Sequence, residues 1–165
     1  HDYALQSMLR ELRFLREEKL HVVRDERQCL KRLKRDKIQE HLQSIPGVGF
    51  HTAVMLQAEL WDLQRFEDKD ALSSYVGLAP RLVGSGEHEV LKSAGNRKKK
   101  QLHAILIQAA WRSIVYNLET RARYGALLHK GANPQRAISI IAKKLLYALR
   151  AVWLQERDYV VSANE

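Results

Sequence analysis

A few short stretches of this chain carry side chains or backbone that could meet an anion. The first is Ile45-Pro46-Gly47-Val48-Gly49-Phe50-His51-Thr52-Ala53. Two glycines let a backbone approach a phosphate closely. Free amides at the start of the next helix would then face the anion, helped by the helix dipole. Such contacts read the backbone of a nucleic acid and carry no base information. Gly47 and Gly49 are therefore candidate DNA-binding positions. The competing reading is a tight turn between two helices with no ligand. The second stretch is Arg97-Lys98-Lys99-Lys100. Four cations at a helix start oppose the dipole and destabilise the helix. Phosphates of a nucleic acid would give them a reason to be there. The competing reading is a solvated charge run.

Gly84-Ser85-Gly86 is a third stretch. A serine between glycines is accessible and can take unusual backbone angles, as nucleophilic serines do. No Ser-His-Asp spacing accompanies it, so composition alone leaves it an ordinary loop triplet. Glu87-His88-Glu89 alternates potential ligands, but no matching set exists elsewhere, and no metal is expected on this chain. His51, His103 and His129 read as surface or helix residues. No acidic cluster has the spacing of a two-metal nuclease.

The whole chain supports the anion reading. It has 165 residues, with 28 Lys and Arg against 19 Asp and Glu, for a net charge of +9. That surplus favours a polyanionic partner, nucleic acid before a membrane surface. A single cysteine, Cys29, excludes an internal disulfide and a cysteine-rich zinc site. The longest apolar run, residues 102–111, is too short to span a bilayer, and residues 1–10 carry no signal-peptide pattern. A cytoplasmic protein is expected. A start at His1 without Met suggests a processed or truncated chain.

These residues need elements to hold them. Before Pro46 there is neither proline nor glycine, and residues 2–44 read as one long helix. Its apolar residues Leu5, Leu9, Leu12, Val23, Leu30 and Leu33 form a partial heptad seam, which one helix cannot bury alone. Cys29 is expected as a small buried residue on that stripe. Further helices are expected over residues 50–60, 70–75, 97–117 and 120–130. Gly131 closes the last of these, and Asn133-Pro134 opens a final helix. A loop runs through residues 81–96, with a small hairpin at most. The tail after Arg157 reads as frayed. The expected fold is all-α: a coiled-coil-like helix (1–44), a helical domain with a helix-hairpin-helix turn (45–157) and a tail (158–165).

In order, "SIPGVGFHTAVMLQAEL", "RFEDKDALSSYVGLAPR", "GSG", "LKSAGN", "AILIQAAW", "RYGALLHKG" and "AISIIAKKLLYAL" resemble the C-terminal domain of the Piv-type DEDD transposases of bacterial insertion sequences. The resemblance spans roughly residues 42–154. It implies a recombinase, and Ser85 as the nucleophile that links covalently to DNA. It implies that the four acidic residues and magnesium belong to an N-terminal RuvC-like domain outside this chain. The chain alone would then be inactive. It also implies DNA as substrate, a structured guide RNA as partner in some members, and a homo-oligomer. A non-catalytic helix-hairpin-helix DNA-binding module is the alternative.

Overall fold

The structure is a computed structural model. It describes residues 2–79 and 96–160, without the side chains of 96–99. Among the described residues it is all helical: α1 (Asp2–Arg32), α2 (Asp36–Gln43), α3 (Phe50–Leu60), α4 (Lys69–Val76), α5 (Asn96–Tyr116), α6 (Leu118–His129) and α7 (Pro134–Gln155). Residues 80–95, with the expected hairpin, lie outside the described part. No described helix is long and apolar enough to cross a membrane.

The expected single helix over 2–44 is two helices. Lys34 takes φ +54°, the left-handed region, and breaks the run. The break has the hydrogen bonds of a Schellman end: Arg35 N donates to Leu30 O and Lys34 N to Lys31 O. The same pair of bonds closes α4 at Gly77 and α6 at Gly131. Those two are glycines, as the rule expects. A lysine at the third carries no such signal, so the sequence reads through it.

After the break, Arg35 holds α1 to the body. Its guanidinium lies 4.3 Å from the Trp61 ring centroid and 5.9 Å from that of Trp153. Such contacts are worth roughly 0.5–2 kcal/mol each. Only the last turns of α1 meet the rest of the chain, and only Leu30 is buried. Cys29 is exposed, contrary to expectation. It stands one position off the seam residue Leu30, which is buried, and among the described residues no element covers it. Leu5, Leu9, Leu12 and Leu33 are exposed for the same reason.

The core lies between α2, α3, α4, α5 and α7. α7 starts at a cap: Asn133 Oδ1 accepts Gln135 N at 2.9 Å, and Pro134 fills the first helical position. Its buried stripe then runs Ala137, Ile138, Ile141, Ala142, Leu145, Leu146, Leu149 and Val152. That face packs most extensively on α5, through Leu102, Leu106, Ala109 and Ala110. Asp68 caps α4 by accepting Ala71 N at 2.7 Å. Asp70 then ties α4 to α7, accepting the Tyr147 hydroxyl at 2.6 Å with Lys143 Nζ at 3.1 Å. Both contacts hold the Asp70 carboxyl below its ordinary range, Tyr147 first. The tail is not frayed over 158–160. His41 Nδ1 pairs with Asp158 at 2.7 Å, and Tyr159 N donates to Ser44 Oγ at 2.7 Å.

A lysine in the left-handed region is strained by about 1 kcal/mol relative to glycine. Lys34→Gly should therefore raise stability by about 1 kcal/mol in urea unfolding. A neutral or destabilising result would mean that Lys34 makes a compensating contact.

Candidate nucleic-acid interface

The glycine turn joins α2 to α3, which pack on each other. Gly47 sits at φ +92°. A Cβ there would collide with Ala109 O and come 2.6 Å from Ser113 N, both backbone atoms of α5. The turn thus lies directly on the α5 backbone. Ala109 and Ala110, both buried, leave room for it. Gly47 is used for helix packing in this structure, through both its angle and its missing side chain.

Gly49 differs. It is the N-cap of α3 with φ −88°, and no side chain caps the helix. Asn and Asp side chains cap α4, α6 and α7. The amides that open α3 therefore keep their donors for another acceptor. The Arg112 guanidinium is close by, with Nη1 3.7 Å from where a Gly49 Cβ would sit. His51 is next along the helix, exposed, with Nδ1 3.5 Å from Glu26 of α1. Arg27 stacks over Phe50 at 5.2 Å. A buried amide pair sets the first turn of α3. Gln39 Nε2 donates to Phe50 O at 2.8 Å, and Gln57 Nε2 donates to Gln39 Oε1.

An uncapped helix start beside an arginine is a chemically competent anion site. Arg112 is the residue that sequence reasoning missed. It lies about 60 positions beyond the turn and belongs to no motif; only the packing of Gly47 on α5 brings it there.

The cation run occupies the first turn of α5, which has no acidic residue to balance the dipole. Lys100 is exposed. Arg97, Lys98 and Lys99 lie in the helix, but their side chains are outside the described part. The structure does not bring this run to the glycine turn. Gly47 meets α5 at Ala109 and Ser113, nine to thirteen residues past Lys100. At 1.5 Å per residue that is about 14–20 Å along the helix. Ser85 and Glu87-His88-Glu89 lie outside the described residues. Among the described residues, no group of three or more His, Cys, Asp or Glu is placed to hold a metal ion.

Residues 39–125, more than half of the chain, match the family model described as "Transposase IS116/IS110/IS902 family". The chain belongs to that family. It is 32% identical over 100 residues to the transposase of insertion sequence element IS1111A from Coxiella burnetii. That stretch is 61% of this chain and 27% of the relative. It is 31% identical over 85 residues to the transposase of element IS1328 from Yersinia enterocolitica, covering 52% of this chain and 25% of the relative. An uncharacterized 43.6 kDa protein of element IS110 from Streptomyces coelicolor is 28% identical over 111 residues, 67% of this chain and 27% of its own length. The chain thus matches about a quarter of the length of these curated relatives. No solved structure matches it.

The two glycines should respond differently to alanine. Gly47→Ala should destabilise the fold by about 3 kcal/mol, since it meets backbone at a left-handed angle. Gly49→Ala should lose less than about 1 kcal/mol, because its Cβ has space. Chemical denaturation of both variants checks this. Equal losses would mean that Gly47 does not lie against α5.

Proposed function

We propose that this chain is the DNA-binding, serine-bearing C-terminal part of a transposase of a bacterial insertion sequence, of the Piv-type DEDD kind. One observation carries the reading: the family match over residues 39–125 takes in the glycine turn, α3 and all of α5 together. The net charge of +9 supports a phosphate-rich partner. In this reading, α2, the Gly47–Gly49 turn and α3 act as a helix-hairpin-helix. The α3 amides and Arg112 take one phosphate. Arg97, Lys98, Lys99 and Lys100 take others, about 14–24 Å away along α5.

Ser85 is the proposed nucleophile, on the segment between α4 and α5. Its Oγ would attack phosphorus, form an O–P bond and release the sugar oxygen as a free hydroxyl. The serine proton passes to a base, and the departing sugar oxygen takes a proton from a general acid. Strand exchange runs the same step in reverse with a different sugar hydroxyl. Serine needs activation for this. The family resemblance assigns magnesium to an N-terminal domain outside this chain, so the whole reaction belongs to the complete transposase. A guide RNA as a second nucleic-acid partner comes from the same resemblance.

Replacing Arg97 and Lys98–Lys100 with Ala should weaken duplex binding and reduce the salt slope by about one for each phosphate that is no longer neutralised. In the complete transposase, Ser85→Ala should abolish strand exchange and leave binding nearly intact. An unchanged slope removes the cation run from the interface. Retained recombination removes Ser85 and leaves a non-catalytic binding module.

The exposed stripe of α1 supports a homo-oligomer. Leu5, Leu9 and Leu12, the first positions of the seam, are all exposed, and one helix cannot bury them alone. Sedimentation should show a dimer or larger species that Leu12→Glu dissociates. A monomer at high concentration would overturn this.

A further inference from the structure

A cavity of about 310 Å3 lies where the turn after α2, the end of α5, α6 and α7 meet the tail. Ile45, Ile141 and Leu145, all buried, give it an apolar floor. Ser113, 4% exposed, and Thr120 add hydroxyls, with Ser113 Oγ 3.3 Å from Thr120 Oγ1. Asn117 also lines it. Its Oδ1 accepts Thr120 N at 3.0 Å, which leaves the amide NH2 as a donor. The rim carries both signs: Glu119 and Arg123, 3.4 Å apart, and the exposed Lys144.

The last wall is an aromatic ring. Asp158 on His41 and Tyr159 N on Ser44 Oγ fasten the tail. The fastening sets half-buried Tyr159 at the cavity and against the core. Burial, and then the Glu119 carboxylate, push the Tyr159 hydroxyl above its ordinary pKa. It therefore stays a neutral donor at physiological pH.

The composition of this cavity selects a ligand class. Its volume is at the low end of small-molecule pockets, which run roughly 300–1,000 Å3. That excludes a folded partner or a helix. A flat ring fits an apolar floor with an aromatic wall. Donors and acceptors together suit the edge of a base, and the rim cations suit a phosphate. The Glu119 carboxylate favours a base with an exocyclic amine, as acidic side chains do with cytosine.

We infer that this cavity takes one unstacked nucleotide of a nucleic-acid strand, with the base against Tyr159 and the phosphate on Arg123 and Lys144. The inference deepens the proposed DNA-binding reading and rests on it. DNA and RNA offer the same base and phosphate, so the test carries both.

The experiment titrates the chain with deoxyribo- and ribonucleoside 5′-monophosphates and follows methyl NMR signals of Ile141, Leu145 and Ala148. These signals should shift at millimolar nucleotide and stay still with inorganic phosphate alone. A response to only one sugar series identifies DNA or RNA as the source. Tyr159→Ala should weaken binding roughly tenfold, the size of one base–aromatic stack. Tyr159→Phe should retain most of it. Lys144→Ala, at an exposed position, should weaken nucleotide binding and leave that of the free nucleoside unchanged. Still methyl signals, equal shifts with phosphate alone, or undiminished binding by Tyr159→Ala would each overturn the inference. Duplex binding by the wild-type chain is measured in parallel. Duplex binding without methyl shifts defeats the cavity alone; failure of both defeats the DNA-binding reading as well.

Discussion

The fold depends on how closely the turn at Gly47 approaches α5. A Cβ at that position would overlap Ala109 O, so no side chain fits there. The turn can lie on α5 only because Gly47 has no Cβ and accepts φ +92°. This contact fixes α3 against α5, and α5 in turn carries α7. It also sets the α3 N-terminus next to Arg112. Loosening the turn by one methyl group would shift both helices, because packed interiors do not absorb such volumes. A residue that looks like a phosphate-binding glycine is a packing residue in this structure, through its angle and its missing side chain.

How much of this was legible depended on which atoms carried the signal. The all-α class and the bounds of α3 to α7 came from periodicity and from local caps. Asn133-Pro134 and Gly131 name their own positions, since their chemistry suits few others. The α1–α2 break was not legible. Lys34 is a good helix former, and the contacts that follow the break, Arg35 on Trp61 and on Trp153, are long-range. Those partners lie far along the chain, beyond any local window. Cys29 failed for a related reason. Periodicity reports which face is apolar, and it does not report whether anything covers that face. The tail over 158–160 is held by His41 and Ser44, more than a hundred residues upstream.

The site divides the same way. The glycine turn and the cation run are both visible as sequence strings. Their separation along α5 is not, because it depends on where Gly47 lands on that helix. Arg112 is invisible for the same reason. Ser85 rests on family resemblance alone, since no residue in its neighbourhood has the spacing of a known activating set.

Ser113 connects the two surfaces. Its backbone N lies under Gly47, and its side chain lines the cavity closed by Tyr159. Pro46, the residue before Gly47, lines the same cavity. One stretch of α5 backbone thus supports the glycine turn on one side and a small mixed-polarity cavity on the other. The two share Ser113 and the Pro46–Gly47 turn, so displacing the turn from α5 also alters the cavity lining. In the proposed DNA-binding reading, that shared stretch of α5 links where a bound backbone lies to where a single base is held.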